Sequence, residues 1–482
     1  MTQFIDCDAL VIGSGAGGAV AAMALAQSGR TPIVLEEGPR VEASDIGLLS
    51  GAQALSLLYR HAGLQPVFGS PKVVYGEGRC VGGSTVVNGG LLWFPSEWRV
   101  DRWATLRGSV VPSHEALSKH GDSIAGMLSV AQQADGAGNR DSVALRNGAT
   151  ELNLRWQHPQ RALVGCIHAN RCTMGCPSGA KQTALDTYIA SAERLGAVVV
   201  PNTRVTRLLP LGKRISEVHA HINGRKTVYR PQTVVLSGGP IGSPEILLRS
   251  GLWRSPKRPS MAWHANLRFI AKFRDPVHAE LGTIFTTQIN EYERMGIYLM
   301  PANATTGTLA GFLQGHGPKA VAEYLESPEN YAVFTAQVEM KGRISIATAP
   351  TMGRLLTHSL ALTDEGSLRF AAERMLAVLF ASGASMIFPP VNEYGGIVSP
   401  AAGMSFSQKN PIEEWQILSV HGMASCPMGD TDRGGIVDER GRLRSINNLH
   451  LADASVLPGA TGISPQGSIM AIVECIMDEM GR

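Results

Sequence analysis

At 482 residues the chain exceeds what one simple domain needs, so two or three units sharing a large core are expected. Its 43 Lys and Arg nearly balance 40 Asp and Glu, and the net charge of +3 is too weak a field to favour nucleic acid or an anionic membrane. No uninterrupted apolar run approaches the roughly 20 residues of a membrane span, so no span is expected. Seven scattered cysteines suit reduced thiols better than a disulfide framework. Met1–Asp6 runs straight into a strand without a basic, cleavable leader, and the expected setting is the cytoplasm.

The first apolar run, Asp8–Ile12, reads as a buried parallel strand ending in Gly13-Ser14-Gly15-Ala16-Gly17-Gly18. A helix is predicted over Ala19–Ser28, stopped by Gly29, and a second strand, Thr31–Leu35, closes on Glu36. This is one βαβ unit. Gly13 suits the tight turn, Gly15 lets the backbone approach a pyrophosphate, and Gly18 lets the helix lie close to the strand. Glu36 stands 23 positions after Gly13, where a carboxylate accepts hydrogen bonds from a ribose diol. The unit points to a dinucleotide and leaves FAD and NAD unseparated.

A second glycine-rich segment follows, Gly78-Arg79-Cys80-Val81-Gly82-Gly83-Ser84-Thr85-Val86-Val87-Asn88-Gly89-Gly90. Its glycines allow backbone to pack on a flat ring, and Asn88 offers an amide to the edge of such a ring. Cys166, Cys172 and Cys176 then cluster with His168. Three local thiolates with a wide first gap do not suit a [4Fe–4S] run, and zinc with His168 as fourth ligand is the other metal reading. A structural loop with free thiols is preferred, and no metal is assigned.

A helix is predicted over Thr183–Leu195, then a strand around Val205. Val234–Leu248 reads as a strand, a glycine turn and a helix. From Asn266 to Pro400 apolar and polar residues often alternate, as in Leu267–Phe273 and Gly342–Ala347, which predicts an antiparallel sheet with one exposed face. Ser367–Phe380 reads as a helix with Ser367 as N-cap. Phe285, Tyr298, Met300, Phe312 and Met340 are candidate pocket walls, although such residues more often form plain core. No cluster of Arg or Lys marks a phosphorylated or acidic substrate. Near the C-terminus stand His421-Gly422-Met423, then His450, expected to be buried and structural, then Asp453 and Ser464-Pro465-Gln466.

In order and spacing these segments resemble the glucose-methanol-choline (GMC) oxidoreductases. The cysteine loop resembles a branch that includes long-chain alcohol oxidases and bacterial polyol dehydrogenases. The resemblance implies FAD as cofactor and an α/β fold: a Rossmann-type FAD-binding domain with an inserted α+β substrate domain built on an antiparallel sheet. It implies FAD-binding parts at 1–100, 195–262 and 415–482, a lid and cysteine-loop region at 101–194, and a substrate domain at 263–414. It places Gly13, Gly15, Gly18, Glu36, Arg79, Gly83, Ser84 and Asn88 at the cofactor, with Val205 at the adenine, Asp453 at the ribityl chain, and Pro465 and Gln466 at the pyrimidine edge.

The implied reaction is oxidation of a small-molecule alcohol to a carbonyl, with His421 as base, hydride passing to flavin N5, and oxygen or another electron acceptor left open. Family members carry Asn or His where this chain has Ser464, which is shorter and cannot replace an imidazole. That departure motivates an alternative: a flavoenzyme of specialised metabolism performing desaturation, isomerisation or cyclisation.

Overall fold

Strand β1 (Gln3–Ile12) is longer than its apolar run, and only Ala9–Ile12 is fully buried. The structure, a computed structural model, describes residues 3–132, 139–302, 304–349 and 353–481; Met1 and Thr2, which precede the predicted strand, lie outside them. Helix α1 (Ala16–Gln27) leads to β2 (Pro32–Leu35), which pairs parallel with β1. The helix starts earlier than predicted because Gly15 takes the N-cap position in an extended conformation, so Ala16 enters the helix at once. Gly29, with φ +83, follows its C-terminus.

β3 (Val198–Val200) adds parallel to β2, while β4 (Thr203–Leu211), β5 (Arg214–Ile222) and β6 (Arg225–Leu236) form an antiparallel meander. The sheet runs β3-β2-β1-β6-β5-β4, and β6 lies parallel to β1. β6 feeds helix α2 (Gly239–Arg249), and the short strand Leu449–Leu451 pairs with its C-terminal end, delivering Asp453 to the start of α2. The helix predicted over Thr183–Leu195 forms in two pieces, a π-helical turn at Leu185–Ile189 and α-helix at Ala190–Arg194. Thr187 Oγ1 donates to Thr183 O at 2.6 Å and Thr183 Oγ1 to Asp186 at 2.5 Å, and such side-chain bonds compete with the regular ladder.

The second layer is built on β7 (Ser260–Phe273), which pairs antiparallel with β9 (Tyr331–Glu339); β9 in turn pairs with β8 (Ile297–Pro301). β10 (Ala384–Phe388) and β11 (Gln416–Ser419) also pair with β7. The expectation of an exposed face fails here: every residue of β9 is buried. Leu267, Phe269, Phe334 and Ala336 pack in one core with Leu368 and Met375 of helix α3 (Asp364–Ala381). The opposite face, with Asn266, Arg268, Thr335 and Gln337, lines an internal cavity. The polar half of the alternation therefore faces a binding cavity rather than bulk solvent.

Ser367 is not the N-cap of α3. The helix begins at Asp364 with Thr363 in the cap position, and Ser367 Oγ donates to Thr363 O from inside the first turn. Asp364 fixes this start by accepting from the backbone N–H of Lys341, Gly342 and Ala361, each at 2.8 Å. Helix α4 (Gln466–Gly481) ends the chain's described part. Among the described residues no helix is long and apolar enough to cross a membrane.

Candidate active site

Gly13 has φ +99, and a Cβ there would run into Ser237 O at the end of β6; a Cβ on Gly18 would run into Gly13 O. These two glycines close α1 onto the sheet, and larger residues would force the strands and helix apart. Gly17, which the sequence reading did not single out, is equally confined by Ala452 O. Gly83 (φ +55) faces Gly15, with a Cβ on it only 2.8 Å from Gly15 Cα, so the two glycine-rich loops meet backbone to backbone. The N-cap of α1 has no side-chain partner, which leaves its first-turn amides for an anion.

Glu36 anchors this turn. Its Oε2 accepts from Ser14 N at 3.1 Å and Ser14 Oγ at 2.7 Å, and its Oε1 accepts from Gly38 N at 2.9 Å. Burial pushes its carboxyl above the ordinary value, against the lowering effect of those hydrogen bonds.

From this turn a cavity of about 1000 Å³ extends to His421. Of the sequence-predicted site residues, Gly18 alone does not line it and instead packs under the turn. Gly13, Gly15, Glu36 and Val205 lie at one end, Arg79, Gly83, Ser84 and Asn88 along the wall, and Asp453, Ser464, Pro465 and Gln466 with His421 complete it. Asp453 Oδ2 accepts from Gly239 N at 2.8 Å and Ser243 Oγ at 2.5 Å, and Oδ1 from Ser455 N at 2.7 Å. Its carboxylate thus ties the second glycine turn to the C-terminal segment, while burial raises its pKa.

Asn88 lines the cavity with its amide engaged by the protein. Its Nδ2 donates to Gln466 Oε1 at 2.5 Å and its Oδ1 accepts from Gly90 N, so its amide holds the glycine segment to the start of α4. Lys181 was missed by sequence reasoning. Its Nζ donates to the carbonyls of Val86, Asn88 and Cys172 at 2.7, 2.8 and 2.6 Å, joining the cysteine loop to the cavity wall; burial lowers its pKa to about 8. Nothing in its spacing signals this role. In the cysteine loop, His168 Nδ1 lies 2.8 Å and Cys166 Sγ 3.5 Å from Thr283 Oγ1, and Cys176 Sγ lies 3.5 Å from Ser178 Oγ. Among the described residues no three His, Cys, Asp or Glu are arranged to hold a metal ion.

At the far end His421 follows β11, and Gly422–Met423 pairs with β7 at Trp263 and Ala262. That pairing brings His264 of β7 behind His421. Their Nδ1 atoms are 3.1 Å apart, the rings stand at 89°, and His264 N donates to His421 O at 3.3 Å. His264 is fully buried and its Nε2 has no partner among the described residues. Burial lowers the pKa of His421 to about 4. Burial, then the neighbouring His421, Arg99 and Lys341, drives His264 well below its ordinary value. Both rings are therefore neutral at neutral pH, and one Nδ1–H serves the pair. With Nδ1 engaged, Nε2 is the nitrogen His421 has left for the cavity.

Phe285, Met300 and Phe312 line the cavity as expected; Tyr298 and Met340 do not, and lie buried in the protein core. His450 is buried, with Nδ1 2.9 Å from Arg440 O.

The cavity suits FAD on the structure's own terms. Glycine surfaces that a side chain would fill line its dinucleotide end, and two buried donors on its wall, Arg79 Nε and Trp93 Nε1, have no partner among the described residues.

Profiles described as GMC oxidoreductase match residues 8–277 and 323–472. An uncharacterized GMC-type oxidoreductase, y4nJ of Sinorhizobium fredii, is 28% identical over 97% of this chain and 93% of its own. A long-chain-alcohol oxidase of Arabidopsis thaliana, FAO1, is 23% identical over 100% of this chain and 67% of its own. Among solved structures, pyridoxine 4-oxidase from Mesorbium loti superposes with a TM-score of 0.74 at 17% identity, covering 98% of this chain and 99% of that one. The formate oxidase of Aspergillus oryzae RIB40 gives 0.75 at 14%, covering 99% and 98%. The chain belongs to the GMC oxidoreductase family and is an FAD-dependent oxidoreductase.

Proposed function

We propose that this enzyme oxidises an alcohol to its carbonyl and that His421 takes the hydroxyl proton. The observation that carries this reading is the position of His421: on the wall of the cavity that Ser464 also lines, with Nδ1 engaged by His264 and Nε2 left over. FAD, when bound, supplies the two-electron acceptor for the hydrogen on the carbinol carbon. The first-turn amides of α1 and Gly15 would hold its pyrophosphate, Glu36 its ribose, Val205 its adenine and Asp453 its ribityl chain. Arg79, Ser84, Asn88, Pro465 and Gln466 would lie along its ring system, with Gly13, Gly18 and Gly83 making room.

A base must be unprotonated to act, and burial keeps His421 so. His264 donates or accepts at Nδ1 and thereby fixes which tautomer His421 presents. The names of the long-chain-alcohol oxidases among the relatives support an alcohol substrate. Two sheets support a division into FAD-binding parts and a substrate domain, although Lys72–Tyr75 and Gln416–Ser419, inside the FAD-binding parts, join the substrate sheet. Seven unpaired cysteines support a reducing compartment, the cytoplasm.

Anaerobic mixing of the purified yellow protein with a panel of alcohols tests the proposal: one substrate class should bleach the flavin band. A flavin spectrum that no alcohol changes would reject it. Oxygen and dye acceptors tried on the bleached protein then separate oxidase from dehydrogenase.

A further inference from the structure

On β7 the side chains of His264, Asn266 and Arg268 fall on one face, since alternate residues of a strand point the same way. His264 backs the proposed base, while Asn266 and Arg268 line the same cavity as His421. Arg268 differs from the other buried cations. Arg99 is paired to Glu339, Arg354 to Glu77 and Glu245, and Arg343 is held by the carbonyls of Ser260 and Ala424. Lys181 is held by three carbonyls.

Arg268 has no acidic partner and no hydrogen-bond acceptor among the described residues; its guanidinium lies over the Phe312 ring, 3.5 Å from the centroid. Burial alone acts on its pKa, lowering it to about 10, so it stays cationic at neutral pH. A guanidinium stacked by one face on an aromatic ring keeps its in-plane N–H fork free, and that fork matches a carboxylate in two parallel hydrogen bonds. Thr335 stands opposite it on β9, Met300 opposite Thr335 on β8, and Phe312 under its guanidinium, none of them charged.

We propose that Arg268 is the substrate's anchor and that the natural substrate is a hydroxy acid whose carboxylate docks on Arg268 while its carbinol sits at His421. This rests on the alcohol-oxidation reading above. Four residues of extended strand separate the Cα atoms of His264, which backs His421, and Arg268 by on the order of 13 Å, so a chain of several carbons is needed between the substrate's carboxylate and its carbinol. A simple alcohol leaves the guanidinium without an anion, and the enzyme discriminates against it for that reason. The isolated Arg in the sequence carries no signal, because it is neither clustered nor part of a motif.

The test uses the purified FAD-loaded enzyme and two readouts. The first is calorimetric binding of octanoate, which has no hydroxyl to oxidise. The second is the preference for 8-hydroxyoctanoate over octan-1-ol in anaerobic flavin reduction. Wild type should bind octanoate and prefer the hydroxy acid; Arg268→Met should weaken octanoate binding and shrink the preference, each at least tenfold. Arg268→Lys, matched for FAD content and melting temperature, should keep part of both, and it serves as the folding control for the Met variant.

Octanoate binding that is absent in wild type, or unchanged in Arg268→Met, overturns the anchor. Because octanoate binding needs no turnover, failure of every alcohol to bleach the flavin would reject alcohol oxidation while an Arg268-dependent octanoate site still stood.

Discussion

His264 Nδ1 lies 3.1 Å from His421 Nδ1, with the two rings perpendicular. A neutral imidazole carries one ring proton, so the contact is a hydrogen bond only when one ring presents N–H and the other a lone pair. When His421 is the donor, its Nε2 is free to accept a proton, and the imidazolium that forms keeps its Nδ1–H bond to His264. Removing His264 therefore takes away a bond that strengthens as charge develops. His264→Phe, which keeps a ring in the core, should lower kcat/KM for alcohols about 10- to 100-fold, as expected for a hydrogen bond to a charged group. FAD content should be retained, and His264→Asn should restore part of the loss. Steady-state rates and the pH profile of the two variants check this; unchanged rates in His264→Phe would remove His264 from any role at the base.

Burial depresses the pKa of His421 from 6.5 in its unperturbed state to about 4 in the fold. Between these values the unfolded chain binds the proton and the folded one does not, so stability rises with pH across that window and is lost as pH falls through it. The full loss is roughly 3 kcal/mol. Urea melts of wild type and His421→Gln at pH 7 and pH 4.5 should show the wild type losing more stability. The acid limb of kcat/KM should correspondingly lie well below 6.5, since the base is unprotonated above its folded pKa.

The two kinds of glycine in this chain should respond oppositely to substitution. Gly13→Ala places a Cβ against Ser237 O at φ +99 and should abolish FAD retention, seen as loss of the visible spectrum on purification. Gly366, inside α3 where an added Cβ would meet nothing within 4 Å, should tolerate alanine and gain about 0.5–1 kcal/mol from helix propensity. Melting temperatures and bound FAD measured on the two variants decide this.

Ser464 lines the same cavity as His421, and an Asn amide there would extend further into it than the serine hydroxyl. Ser464→Asn should raise the rate of flavin reduction by simple alcohols about tenfold, the worth of one added hydrogen bond. If it instead abolishes an activity that the wild type shows without net alcohol oxidation, the redox-neutral reading gains ground.

The geometry of the first βαβ turn was legible because it is local. Gly13, Gly15, Gly18 and Glu36 sit within one βαβ unit, and a turn that must admit a pyrophosphate dictates its own residues. His264 was not legible: it stands in the apolar strand context Met261-Ala262-Trp263 and meets His421, 157 positions away, only through the pairing of β7 with Gly422–Met423. The exposed sheet face failed for a related reason, since alternation records polarity and not which medium the polar residues meet; Asn266, Arg268 and Gln337 meet a cavity. Ser367 was a sound cap by type, but the carboxylate of Asp364, bonded to three backbone amides, sets the helix start one turn earlier.

The most direct measurement is single-turnover flavin reduction, mixed anaerobically, in wild type and His421→Ala at matched FAD content. Loss of the base should slow bleaching by an alcohol about 10²- to 10⁴-fold without loss of bound FAD. Bleaching of His421→Ala at the wild-type rate would contradict the assignment of His421 as the proton acceptor.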